Sequence, residues 1–82
     1  MKLRTKVIEL IKEIAEKEEI DISDLDYKAK LTENGFDSIL IIELILLLED
    51  EFKIKIPDEF LLMSKVDTIE KIVYIIEGQV SE

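Results

Sequence analysis

Residues 33–59 read ENGFDSILIIELILLLEDEFKIKIPDE, a polar turn ending at Asp37-Ser38 that opens directly onto an almost unbroken apolar run. After Ser38, the residues Ile39, Ile42, Ile45, Leu48 and Phe52 recur at intervals of three and four, with Leu44 alongside. That spacing predicts a helix from Ser38 to about Phe52. Leu40, Ile41, Leu46 and Leu47 widen its apolar surface nearly all the way round, so the helix is either central to a bundle or sticky at its surface.

Upstream, Leu3, Val7, Leu10, Ile11 and Ile14 form one stripe, while Glu9, Lys12, Glu13, Glu16 and Lys17 occupy other faces, which predicts a first amphipathic helix. Between about Glu19 and Asp37 the periodicity dissolves into EIDISDLDYKAKLTENGFD, a long connection. Leu25, Tyr27, Leu31 and Phe36 are its expected anchors across the bundle, and Gly35 reads as a turn residue with positive φ. Its acidic cluster does not fit a calcium loop. Counted from Asp21 or Asp24, the position that requires Gly holds Asp26 or Ala29, and neither frame ends in Glu.

Downstream, KIKIP alternates like a strand but is too short to build a sheet, and Pro57 followed by Asp58 and Glu59 fits the first turn of a short third helix over DEFLLM. Asp67, three residues before Glu70, makes a capping signal, and Ile69, Ile72, Val73 and Ile76 form a last stripe that stops near Gly78. The expected architecture is all-α: a small four-helix bundle over residues 1–82, with three long helices, one short one and a long loop joining the first two. Ile42, Ile45, Leu48, Phe52, Ile69, Ile72 and Ile76 are the expected inward residues, placed to line a cavity between the helices.

Composition removes several functions. With 82 residues, 48% hydrophobic and 38% charged, the chain suits one small domain. It has neither Cys nor His, so it lacks a disulfide framework, the usual metal ligands and the usual nucleophile and base pairs. A formal charge of −9 repels nucleic acid and anionic lipid. That field steers the chain toward basic protein patches, or serves solubility alone. Lys2, Arg4 and Lys6 precede apolar residues that Glu9 interrupts too early for a signal peptide, and no stretch approaches a membrane span, so the expected location is the cytoplasm. Paired carboxylates such as Glu49 and Glu51 read as a solvated face rather than as acid and base.

Asp37 or Ser38 stands at the predicted start of the second helix, where free amide groups and the helix dipole favour an anion such as a phosphate ester. An ordinary N-cap accounts equally for either residue. The whole string is more specific than its position. Glu33 to Glu59 resembles the acyl carrier protein family, whose members hold acyl or aminoacyl groups on a phosphopantetheine arm attached to the Ser of an Asp-Ser-Leu motif. Gly35, Asp37 and Ser38 fill the motif and Ile39 stands in for the Leu. Glu43, Leu44, Leu48, Glu49, Glu51, Phe52, Ile54, Ile56 and Pro57 continue the pattern without a gap, and Thr68-Ile69 extends it.

The resemblance implies a carrier rather than an enzyme, with 4'-phosphopantetheine on Ser38 and with Gly35, Asp37 and Ile39 around the attachment point. The thiol that the chain itself lacks would be imported from coenzyme A. Its implied partners are a phosphopantetheinyl transferase, which must supply the base, and acyl- or aminoacyl-loading enzymes and synthases, met by a monomer. The chain departs from fatty acid carriers at Phe36, where a small residue is usual, and at Leu40, where an acid is usual. Both departures look more like carriers of polyketide or nonribosomal peptide assembly, and a D-alanyl carrier is a further alternative. Leu40, Ile39, Ile41, Leu46 and Leu47 are the expected apolar docking residues, with Glu43, Glu49, Asp50 and Glu51 steering the encounter. A cofactor-free helical interaction domain is the alternative from a different class.

Overall fold

The apolar stripe of residues 3–14 does form a helix, α1, Lys2–Lys17, in a computed structural model that describes residues 2–23 and 26–80. Among the described residues two further α-helices follow, α2 at Ser38–Phe52 and α3 at Ile69–Gln79. The expected fourth helix is absent as such. Asp58–Phe60 and Met63–Lys65 each make a single 3-10 turn, so the polypeptide from Pro57 to α3 is a bent strap rather than a rod. Pro57 does precede the first of these turns, and the Phe60 N–H donates to its carbonyl at 3.0 Å.

Val7, Leu10, Ile11, Ile14 and Ala15 of α1 are buried, as are Ile69, Ile72, Val73, Ile75 and Ile76 of α3. α1 packs against both other helices. Lys6 Nζ reaches Glu51 at 3.6 Å and Lys17 Nζ reaches Glu43 at 2.8 Å, which fixes α1 antiparallel to α2. Both pairs are solvent-exposed and contribute little to stability. They do raise the two lysine pKa values, Lys6 chiefly through the charge of Glu51 and Lys17 chiefly through its hydrogen bond to Glu43.

The inward face of α2 differs from the sequence expectation. Ile41, Leu44, Ile45 and Leu48 are buried, whereas Ile42 lies at the surface and Phe52 is only half-buried. In a helix apolar on nearly every face, periodicity alone does not choose the stripe. The choice is made by α1, whose own stripe is unambiguous and packs against α2.

The connection from α1 to α2 is tied down at several points. Leu31 and Phe36 are buried, and Tyr27 is half-buried with the Arg4 guanidinium 3.8 Å from its ring centroid. Leu25 and Asp24 lie outside the described residues. Gly35 takes φ +104°, and a Cβ there would stand 2.8 Å from Ile20 Cγ2, so both the dihedral and the close approach require glycine. The Leu31 N–H donates to the Asp67 carbonyl at 2.6 Å and the Glu70 N–H to the Tyr27 carbonyl at 3.1 Å, which joins the loop to the start of α3. There the expected cap shifts by one residue. Thr68 Oγ1 accepts the Lys71 N–H at 3.0 Å, while the Asp67 carboxylate pairs with Lys71 Nζ at 3.1 Å.

Phe36 is 0% exposed and Phe52 is not fully buried, so their truncations separate two kinds of site. Phe36→Ala is expected to cost about 3–5 kcal/mol and Phe52→Ala distinctly less. Urea midpoints measure both, and equal losses would place Phe52 in the interior after all.

Candidate functional site

Asp37 enters α2 with an extended backbone, φ −84° and ψ 179°, and its Oδ1 accepts the Leu40 N–H at 2.9 Å. Its carbonyl accepts the Ile41 N–H at 3.0 Å. Capping therefore falls to Asp37, and Ser38 is the first residue inside the helix. The Ser38 side chain is exposed, and among the described residues its hydroxyl bonds to no protein group. The first-turn N–H groups of Ser38 and Ile39 have no intrahelical acceptor and remain available at the positive end of the helix dipole. A hydroxyl with no intramolecular role, beside free amide donors, fits a phosphate ester well. Gly35, with φ +104°, bends the chain toward the start of α2.

The expected docking residues do not share one face. Ile39 is 75% exposed and Leu47 is 37% exposed, but Ile41 is fully buried and belongs to the core. Its assignment to a partner surface is wrong, because the helical period that points Leu44, Ile45 and Leu48 inward also points Ile41 inward. Leu40 is half-buried against the core and offers only its outer part. Leu46 is exposed as well, and so are Ile42 and, from the strap, Leu62. For Ile42 the signal in the sequence was the excess of apolar residues around the whole helix, which hides which of them face out.

The acidic residues divide similarly. Asp50 is exposed, while Glu43 is bonded to Lys17. Glu49 turns back toward the chain, and its Oε2 accepts the Ile56 N–H at 2.8 Å. Of the residues expected to line an interior cavity, Ile45, Leu48, Ile69, Ile72 and Ile76 belong to the buried core cluster. A small pocket of about 90 Å³ opens at the edge of α2, with Ile42, Ile45 and Leu46 on one side and Ile56 and Leu61 on the other. Two shallow grooves of about 440 Å³ each run along the far face of α3 beside Phe60, Tyr74 and Ile75.

The bundle thus presents an exposed serine hydroxyl at the start of α2. Residues 7–74 match the family model described as the phosphopantetheine attachment site, and the chain belongs to that family of 4'-phosphopantetheine-bearing carriers. It is similar to the crystal structure of an acyl carrier protein from Thermotoga maritima, with a TM-score of 0.74 and 32% sequence identity over 95% of this chain and 91% of that one. No curated protein matches. Among the described residues, no helix is long and apolar enough to cross a membrane.

Asp37→Ala removes the cap and is expected to cost about 1 kcal/mol. Ser38→Ala removes no intramolecular bond and is expected to stay within about 0.5 kcal/mol of wild type. Thermal melts compare the two, and a larger loss for Ser38→Ala would make Ser38 the structural residue.

Proposed function

We propose that the Ser38 hydroxyl is the attachment point of the arm and that the chain carries acyl groups as thioesters. The observation that carries the proposal is the division between Asp37, which caps α2, and Ser38, whose exposed hydroxyl is left unbonded. The arm supplies the thiol, which a chain without Cys cannot provide. On attachment, the Ser38 Oγ displaces the nucleotide part of coenzyme A at phosphorus and gives its proton to a base on the transferase. The new phosphodiester charge then lies beside the first-turn amide groups of α2. Similarity to an acyl carrier protein supports acyl rather than aminoacyl cargo. Incubation with coenzyme A and a broad-specificity phosphopantetheinyl transferase is expected to add the arm's mass to wild type and nothing to Ser38→Ala. A Ser38→Ala chain that gained the mass would overturn the assignment.

Docking of partners is proposed for the exposed apolar band of Ile39, Ile42, Leu46 and Leu47, continued by Leu62. Burial of such side chains supplies affinity, while Asp50 and the net charge of −9 steer basic partners toward the band. Taken with acyl cargo, the departure at Leu40 favours polyketide assembly over fatty acid synthesis. Phe36 adds less to that preference, because its ring fills the core and its size answers to packing. Leu46→Asp is expected to raise the transferase KM about tenfold with an unchanged melt. Asp50→Lys should act mainly on the association rate and its salt dependence. A Leu46→Asp chain with wild-type KM would place docking elsewhere.

A further inference from the structure

We propose that Glu49 is a positioning residue that latches the exit of α2 and thereby sets the shape of the docking surface; the second clause rests on the docking reading above. Three amide groups converge on this one residue. The Lys53 and Ile54 N–H groups donate to the Glu49 carbonyl, the latter at 3.1 Å, and the Ile56 N–H donates to Glu49 Oε2 at 2.8 Å. Lys53 makes the reversal with φ 56° and ψ 47°, a left-handed conformation usually left to glycine, so the turn is held by its bonds rather than by backbone preference. Ile56 is buried, and Pro57 after it has no N–H, so the Ile56 amide is the last donor that fastens the exit before the turn at Asp58–Phe60.

The consequence lies at the rim of α2. Ile56 and Leu61 face Ile42, Ile45 and Leu46 across the small pocket, and exposed Leu62 follows directly. Holding Ile56 against α2 therefore holds Leu61 and Leu62 in register with the exposed residues of the helix. The carboxylate at position 49 acts by its reach and not as one more steering charge.

Two conservative variants separate reach from charge. Glu49→Gln keeps an acceptor oxygen at the same distance and loses the charge, whereas Glu49→Asp keeps the charge and is one methylene too short. Hydrogen exchange at the Ile56 amide, measured on the chain without its arm, is expected to quicken about tenfold or more in Glu49→Asp and to stay within about threefold of wild type in Glu49→Gln. With coenzyme A and the same transferase at fixed ionic strength, Glu49→Asp should raise KM about threefold or more with kcat unchanged, and Glu49→Gln should remain near wild type. Unchanged Ile56 exchange in Glu49→Asp, or a KM that rises more in Glu49→Gln than in Glu49→Asp, overturns the proposal. A wild type that gains no arm overturns the carrier reading instead, while Ile56 exchange still judges the latch.

Discussion

The buried ring of Phe36 fixes where α2 begins, and the rest of the site depends on that point. The ring has no exposed surface, and the Phe36 N–H donates to the Leu31 carbonyl at 3.1 Å, so neither side chain nor backbone is free to slide. Gly35 immediately before it turns the chain over Ile20 in space that admits no Cβ. Two residues after Gly35 the chain must already be extended, and Asp37 is there to accept the first helical amide groups. The position of the serine hydroxyl is thus a result of core packing, transmitted through two residues.

Asp37 and Ser38 are both ordinary capping residues, and adjacent in sequence they compete for one role. The tertiary structure gives it to Asp37, whose side chain reaches the third residue of the helix. That leaves a primary hydroxyl at the rim of the bundle, available to a partner enzyme. The fold contributes an accessible oxygen and a favourable local field, as the proposed attachment at Ser38 requires.

Charge on this chain does more than surround it. Three of the acidic residues of α2 are committed within the chain: Glu43 and Glu51 to lysines of α1, and Glu49 to the exit amide at Ile56. What remains exposed along α2 is largely apolar, with Asp50 near its end. A net charge of −9 spread over a small surface works against contact between copies through repulsion and suits the basic partners proposed for the apolar band.

The sequence by itself determined the all-α class, the positions of the three helices to within a residue or two, the stripes of α1 and α3, the buried anchors Leu31 and Phe36, and the family. Those follow from local periodicity and from one contiguous motif, which need no knowledge of distant neighbours. Tertiary structure decided the rest. Which side of α2 faces inward depended on α1, so Ile41 entered the core and Ile42 left it. Segment 58–65 became a strap of 3-10 turns, because burying Ile56 and Val66 and bonding Ile56 to Glu49 constrain a stretch that local preference alone would make helical. Glu49 illustrates the difference most directly: a carboxylate in a run of acids reads as solvated, and only the return of the chain seven residues later gives it a bond to hold.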